Sequence, residues 1–433
     1  MNKELLNKID NNTVVVGVIG MGYVGLPLLL CFVEKKIHGF GIDIDMKKIE
    51  MLRAGRSYIK HIPDERISNA VSTGIFKPSA DFSSIQQCDA ILIAVPTPLN
   101  KNREPEMEYI VNTCEAIYPH LKKGQLIVLE STTYPGTTQE VMIPILEKSG
   151  LKAEKDFFVA FSPEREDPNN PNFRTETIPK VIGGSTKASL DVANNLYAKI
   201  VVKTVPVSST QVAEATKLME NIFRSVNIAL VNELKMTFMK MGIDIWEVIE
   251  AAKTKPFGFM PFYPGPGLGG HCIPIDPFYL TWKAREFGVT TKFIELAGEI
   301  NTSMPDFVVS RVMETLNEYG KPLKGSKILV LGLAYKANVD DYRESPSFHL
   351  MEKLEAKGAI VEFNDPNIPV IQPTREHAHY TGRKSVPISQ EFDLLLIATN
   401  HTEYYAMDFS KFSIPIVDTR NVVHQKLKNL FKA

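Results

Sequence analysis

Cysteine is scarce in this chain and tryptophan scarcer, four and two among 433 residues. Cys31, Cys88, Cys114 and Cys272 lie far apart, with no C-x-x-C pair and no zinc spacing, which argues against a disulfide framework and against a cysteine-held metal. The thiols therefore read as free in a reducing compartment, and no metal is expected. An excess of charge of one sign is also missing. Lysine and arginine total 49 against 50 acidic residues, a net charge of −1, so there is no bulk attraction to nucleic acid or to a membrane surface. No uninterrupted apolar run approaches the roughly 20 residues of a membrane span, and the opening MNKELLNKIDNN is polar where a secretion signal has an apolar core. A cytoplasmic protein is expected. What is present is ordinary globular material, 44% hydrophobic and 23% charged, at a length that implies two or three domains.

Glycine and proline are spread unevenly. The stretch PGPGLGGHCIPIDP, Pro264 to Pro277, packs four of each around Cys272, a density that neither a helix nor an interior strand tolerates. It must be a shaped loop, and what it presents is Cys272, His271 or Asp276. Adjacent residues of an extended loop point apart, so a His271–Cys272 dyad is not expected, and one histidine with one cysteine makes no metal site. Cys31 and Cys114 fall in helical patterns and Cys88 just before a strand, where thiols are normally packed and inert.

The first chemical signal comes early. The β-branched run from Thr13 leads into Gly20-Met-Gly22-Tyr23-Val24-Gly25 and then into an apolar helix, the order strand, glycine turn, helix. Asp43 follows the next strand, 23 positions after Gly20, where a dinucleotide fold places the carboxylate that accepts the ribose hydroxyls. A glycine turn that serves only tight helix–strand packing is the alternative reading. No basic residue immediately follows Asp43, so NAD is expected rather than NADP.

Further buried runs, AILIAVPTP from Ala90, QLIVLEST from Gln125, FFVAFSPE from Phe157 and KVIGG from Lys180, alternate with helical stretches and imply a parallel sheet covered on both faces. The C-terminal third repeats the grammar in SKILVLGLAYK, AIVEFNDP, DLLLIATNHT and IPIVDTRN, so a second Rossmann-like domain is expected. Its first turn, GLAYKAN, lacks the glycine fingerprint and suits a different nucleotide. Lys336, Arg343 and Arg420 lie on loops after its strands, where phosphate ligands belong. Between the halves, the segment from Ser208 to Gly242 has a helical pattern without proline or internal glycine. Its apolar face, Leu218, Ile222, Val226, Leu230 and Leu234, suits either core packing or a homodimer interface. Lys217 and Asn221, four apart, share one helical face. The expected architecture is α/β, with two Rossmann-like doubly wound parallel-sheet domains joined by a long central helix: residues 1–206, 207–305 and 306–433.

Taken together, GMGYVGLP, VPTP, STTYPGTT, SPERED, EATKLMEN, PGPGLGGHCIPIDP and YKANVDDYRESP resemble, in content and order over nearly the whole chain, the UDP-glucose/GDP-mannose dehydrogenase family, within it the UDP-N-acetylglucosamine 6-dehydrogenases. The resemblance implies an N-terminal NAD domain, a C-terminal domain for the UDP moiety, and a reaction in the cleft between them. It implies that Cys272 holds the sugar aldehyde covalently between two hydride transfers. Lys217 and Asn221 correspond to the groups that stabilise the developing oxyanion. Asp276 corresponds to the carboxylate that positions or deprotonates the hydroxyl and water, Glu164 to a second acid/base, and Thr132 to a water-holding hydroxyl. On the same ground the cofactor falls to Gly20, Gly22, Tyr23, Val24, Gly25, Asp43, Pro96, Thr97, Thr132 and Arg343. The UDP-sugar falls to Glu164, Arg165, Lys217, Asn221, Phe262, Tyr263, Gly269, Lys336 and Arg420. Two departures stand out. Ile275 replaces a lysine of the UDP-glucose enzymes, which favours an N-acetylated sugar, and TKPFGFMPFY lacks the arginine that relatives extend across a dimer, with Lys255 as the substitute. UDP-N-acetylglucosamine is the expected substrate, with UDP-N-acetylgalactosamine, UDP-N-acetylmannosamine and UDP-glucose as alternatives. A two-electron alcohol dehydrogenase and a non-catalytic nucleotide-sugar binding protein are the rival functions.

Overall fold

The computed structural model describes residues 2–59, 62–100, 102–166, 173–270, 273–374 and 376–433. Cys272 and His271 lie outside the described residues. The chain forms two compact units, Met1–Glu220 with Phe278–Val289, and Asn221–Pro277 with Thr290–Ala433.

The first unit is built on strands β1 (Val15–Ile19), β2 (His38–Ile42), β3 (Phe76–Ser79), β4 (Ala90–Ile93), β5 (Leu126–Leu129), β6 (Phe158–Phe161), β7 (Lys180–Gly184) and β8 (Thr204–Val207). Their spatial order is β3-β2-β1-β4-β5-β6-β7-β8. The side chains of β4 show why these runs read as continuously apolar. Ala90 and Leu92 enter one buried cluster with Leu26, Leu29 and Phe32, while Ile91 and Ile93 enter another with Ile110, Ile117 and Leu146. Both faces are thus covered by helices, and alternation disappears. One pairing departs from the all-parallel expectation: β7 runs antiparallel to β6. Parallel neighbours need a long crossover, usually a helix, and the described part of this connection offers only the three-residue turn Thr175–Thr177.

The second unit carries β9 (Lys327–Leu331), β10 (Ile360–Asn364), β11 (Leu394–Ile397), β12 (Ile416–Asp418) and β13 (Leu430–Lys432), in the order β10-β9-β11-β12-β13 and parallel throughout. The short strand β13, which the repeat grammar does not announce, pairs with β12. The central helix spans Thr210–Lys240 and passes from the first unit into the second. It ends just before Gly242, whose φ of +71° costs a glycine little. The Lys292–Glu318 helix, with Pro305 inside it, carries the chain across residue 305, where the sequence suggests a boundary. Among the described residues, no helix is long and apolar enough to cross a membrane, and no cluster of three or more histidine, cysteine or acidic residues is arranged to hold a metal.

Candidate active site

The turn after β1 is shaped by three glycines with different reasons. Gly20 has φ +95°, and a Cβ there would lie 2.4 Å from the Ala94 carbonyl oxygen. At Gly25 a Cβ would come within 1.9 Å of the Gly20 oxygen, so only glycine lets the Gly25–Glu34 helix start against the strand end. At Gly22 a Cβ would meet nothing within 4 Å. Its bareness serves no packing, and it leaves the open backbone approach that a pyrophosphate needs at a helix N-terminus. Asp43 is 7% exposed; Oδ2 accepts from the Met21 amide at 2.8 Å and Oδ1 from the Asp45 amide at 2.9 Å. A carboxylate has about four acceptor positions, so some remain for ribose hydroxyls. Tyr23 and Val24 are half-buried in the same turn, Pro96 is exposed after β4, and the Thr97 carbonyl accepts from the Tyr279 hydroxyl at 3.0 Å. These residues fit a dinucleotide.

The second sheet has the matching turn with its nucleotide features filled in. Gly332 stands where Gly20 does, with φ +93°, but the buried Ala334 takes the place of Gly22. Asp365 takes the place of Asp43, and its Oδ2 accepts from the Leu333 and Ala334 amides at 2.7 and 2.9 Å. His401 Nε2 lies 3.0 Å from that same oxygen, and both side chains are fully buried. His401 Nδ1 accepts from the Asn338 amide at 3.0 Å, so Nε2 carries the proton and donates to Asp365. The histidine thus takes up an acceptor position of Asp365. Asp365 is held below the usual carboxylate range: burial pushes it up, but the His401 contact and the backbone amides outweigh it.

In the first unit, Thr132 is half-buried on the loop after β5. That loop is anchored by Glu214 of the central helix, which accepts from the Gly136 amide at 2.6 Å and from the Thr138 amide and hydroxyl at 3.0 and 2.7 Å. Glu164 follows β6 and folds back on its own chain, Oε1 accepting from the Arg165 and Glu166 amides at 2.6 and 2.7 Å. Its Oε2 is buried without a hydrogen-bond partner among the described residues. Burial, the largest influence, pushes this carboxyl up, but Lys180, the two backbone amides and Lys217 together hold it below the usual range. Lys217 is itself 7% exposed, so it is not a solvated surface lysine. Arg165 grips Glu220 at 2.6 Å and donates to the Pro179 carbonyl at 2.7 Å.

In the second unit, Asn221 is fully buried and its amide donates to Asp276 Oδ2, while Arg224 donates to its carbonyl oxygen. Asp276, 4% exposed, begins the Asp276–Glu286 helix directly after the cysteine loop, and its neighbour Ile275 is half-buried. The start of that loop is tied down by Asn232, which accepts from the Gly265 amide at 3.0 Å. Gly269 is pressed so close that a Cβ would lie 2.8 Å from both Pro346 and Tyr335. Phe262 packs edge-on to Phe223 at 5.6 Å, and Tyr263 stacks on Trp246 at 5.8 Å while its hydroxyl donates to Glu250 at 2.7 Å. Arg420 donates Nε to the Ala398 carbonyl at 3.1 Å and lays its guanidinium against Gly265, where a Cβ would sit 2.4 Å from Nη1. Lys336 is half-buried, and Arg343 is exposed and paired with Asp341 at 2.7 Å.

The sequence matches three domain descriptions of one family: the NAD binding domain over 14–201, the central domain over 211–303 and the UDP binding domain over 329–425. The chain belongs to the UDP-glucose/GDP-mannose dehydrogenase family. It is 35% identical to a UDP-N-acetyl-D-glucosamine 6-dehydrogenase of Pseudomonas aeruginosa, over 90% of this chain and 92% of that one. It is 36% identical to Protein CapL of Staphylococcus aureus, over 94% of each. Its fold is similar to that of a UDP-D-ManNAc dehydrogenase from Pyrococcus horikoshii, with TM-score 0.87 and 30% identity, covering 97% of this chain and 99% of that one. This dehydrogenase therefore uses NAD and oxidises a nucleotide sugar.

Three features of the dehydrogenase escape sequence reasoning. Lys48, one helical turn beyond the strand, brings Nζ to 3.3 Å from Asp43 Oδ2. Lys235 on the central helix is 3% exposed, and its Nζ has no hydrogen-bond partner among the described residues. A buried ion group around Lys180, Glu130 and Tyr197 lies behind Glu164. None has a motif; only Lys180 and Glu130, charges inside otherwise apolar strand runs, leave a trace in the sequence. The three described cysteines are buried, and burial pushes Cys88 and Cys114 each up to about 12, far from a reactive thiolate.

Proposed function

We propose that this enzyme oxidises the C6 hydroxyl of UDP-N-acetyl-D-glucosamine to the carboxylate, for surface-polysaccharide synthesis in the cytoplasm. The carrying observation is the buried Asn221–Asp276 pair at the foot of the cysteine loop with Ile275 beside it. Asp276 and Asn221 hold the reacting hydroxyl and, later, the attacking water. Lys217 donates to the sugar oxygen as charge develops on it. Glu164 offers its open Oε2 as a proton acceptor, and Thr132 holds water. Cys272 forms first a thiohemiacetal and then a thioester. NAD, when bound at the glycine turn and Asp43, supplies the hydride acceptor for both steps. The balance is RCH2OH + H2O + 2 NAD+ giving RCOO− + 2 NADH + 3 H+.

Ile275, where a lysine would serve a bare hydroxyl, favours an acetamido methyl group. Discrimination through one apolar wall amounts to about 1–3 kcal/mol, or roughly 10–200-fold. Expected kcat/KM at saturating NAD is highest for UDP-N-acetylglucosamine, with some activity on its C4 epimer, less on UDP-N-acetylmannosamine and least on UDP-glucose. UDP-glucose matching or exceeding UDP-N-acetylglucosamine overturns the role given to Ile275.

Arg420 and Lys235 are assigned to the UDP diphosphate. Lys235, Arg420 and Lys432 gather around one carboxylate, Asp418, which is already taken by Lys432 at 3.1 Å and by two backbone amides. The surplus of positive charge suits a dianion. Burial first, then Arg420, pushes Lys235 down to about 7. An unfolded lysine titrates near 10.4, so between those values the unfolded chain holds one more proton and stability rises with pH. The penalty is fully present below pH 7. Lys235→Met is expected to raise stability by roughly 1–3 kcal/mol at pH 6, with the gain fading towards pH 10, and to weaken UDP binding. Denaturant titrations over that range, with calorimetric UDP binding, check both parts.

The central helix also exposes Met219, Phe223 and Leu230, at 72%, 46% and 50%, in one stripe. Of the residues expected on its interface face, Leu218 is buried and only Leu230 is exposed. We assign the stripe to contact with a second copy, as a homodimer or larger homo-oligomer, to be read by light scattering.

A further inference from the structure

Two carboxylates, one ammonium and one phenol are buried together in the first unit, and the proposed chemistry uses only one of them. Lys180, the first residue of β7, has a side chain 4% exposed. Its Nζ lies 2.8 Å from Glu130 Oε2, 3.4 Å from the Pro163 carbonyl and 3.6 Å from Glu164 Oε2. The first two are hydrogen bonds; the third is an ion-pair contact beyond hydrogen-bond range. Glu130, fully buried after β5, also accepts from the Tyr197 hydroxyl, and Lys180 Nζ sits 5.1 Å over the Tyr197 ring. Lys180 thus arrives from β7, Glu130 from the end of β5 and Tyr197 from the Lys187–Tyr197 helix, all behind the residue that follows β6.

We propose that Lys180 is a positioning residue for this dehydrogenase: its ammonium holds the Glu164 carboxylate ionised and in place, with Oε2 kept open as an acceptor, and Glu130 limits how strongly it does so. The proposal rests on the reading of Glu164 as the proton acceptor. The geometry makes the dependence direct. Oε1 of Glu164 is saturated by two amides of its own chain, so its orientation is set locally. Among the described residues, Oε2 is buried and without a hydrogen-bond partner, and the one cation in ion-pair range is Lys180. Among the described residues, the charged and titratable groups facing Glu164 are Lys180, Lys217 on the central helix, Glu130, Glu166 and Tyr197. Of these, only the two lysines favour its charged form. A carboxylate in such a place without its cation takes up a proton and ceases to be a base. Glu130 competes for the same ammonium, and its contact is the shorter one. Removing Lys180 therefore moves the Glu164 titration to higher pH, and removing the charge of Glu130, which leaves Lys180 to Glu164 alone, moves it to lower pH.

Opposite shifts from the two partners of one ion pair are expected when both charges act on the Glu164 carboxyl. The test is the Glu164 carboxyl titration itself, read by 13C NMR on glutamate-labelled full-length protein and assigned with Glu164→Gln. Lys180→Met is expected to shift it up and Glu130→Gln to shift it down. In Lys180→Met the acid limb of the kcat profile follows upward, with kcat at pH 6 falling roughly 10–100-fold and KM for the nucleotide sugar changing less than about threefold. Should either single variant fail to fold, the paired Lys180→Met/Glu130→Gln variant removes both charges of the ion pair together. The upward shift is expected there too, because the lost ammonium is the charge in ion-pair range of Glu164. A Glu164 titration unchanged in Lys180→Met or in the paired variant overturns the proposal, whether or not the enzyme turns over. Shifts as expected, with an acid limb that survives Glu164→Gln, sustain the positioning role and instead remove Glu164 from the chemistry.

Discussion

Replacing Cys272 by alanine is expected to abolish acid formation, by at least about 1,000-fold, while leaving NAD and UDP-sugar binding nearly intact. The reason is the four-electron balance. The first hydride leaves an aldehyde, which in water is free to hydrate, to diffuse away or to react with amines. A thiolate captures it as a thiohemiacetal, whose carbon still carries a hydride to give, and loss of that hydride yields a thioester that water opens. Without the thiol the second oxidation loses its route, whereas the glycine turn and Asp43 are untouched. The variant therefore releases at most one NADH per sugar, and the wild type two. NADH counted by absorbance against sugar consumed by chromatography, with binding followed by calorimetry, checks every part. A Cys272→Ala enzyme with near-normal turnover and two NADH per sugar removes the cysteine from the mechanism and leaves the loop around it unexplained. The same counting tests the two rivals: a two-electron alcohol dehydrogenase gives one NADH, and a binding protein gives none.

The second large effect is at the cofactor. Wild-type enzyme is expected to favour NAD over NADP by at least about 100-fold in kcat/KM, because a 2′-phosphate would be pressed against the buried carboxylate of Asp43. Lys48 adds a condition that the sequence around Asp43 conceals. Its ammonium lies 3.3 Å from the carboxylate and is spent on it. In Asp43→Asn that ammonium is released beside the ribose, where it meets a 2′-phosphate. Efficiency with NADP is expected to rise by roughly 10–100-fold, while NAD loses about tenfold through weakened ribose hydrogen bonds. Adding Lys48→Met to Asp43→Asn is expected to erase the NADP gain without restoring NAD. Steady-state kinetics with both cofactors reads this out, and equal efficiency of wild type with NAD and NADP overturns the assignment of Asp43.

Local features of this enzyme were legible in its sequence. Gly20, Gly22 and Gly25 act within six consecutive residues, and Asp43 follows after one helix and one strand, so spacing alone carries the argument. The strand runs of both sheets are apolar because helices cover both faces, which is a property of composition and order. The repeated grammar revealed the second sheet, and the Ala334 that closes its nucleotide turn is visible in GLAYKAN. The structure adds what the sequence does not show: His401, 36 residues beyond Asp365, donates to its carboxylate.

The antiparallel step between β6 and β7 was decided by tertiary structure, because strand direction depends on what the connection can form and KVIGG reads the same either way. Charge partners were decided there too. Glu130 and Lys180 are 50 positions apart, Asn221 and Asp276 are 55 apart, and Arg165 and Glu220 are 55 apart. No periodicity joins such residues; Glu130 and Lys180 meet because the sheet order places the ends of β5 and β6 beside the start of β7. Burial then changes what a charge means. Lys235 and Lys180 read in sequence as ordinary lysines, one on a helix and one at a strand start. Taken out of water, the first is pushed down to about 7. The second becomes the ammonium that keeps Glu164 charged.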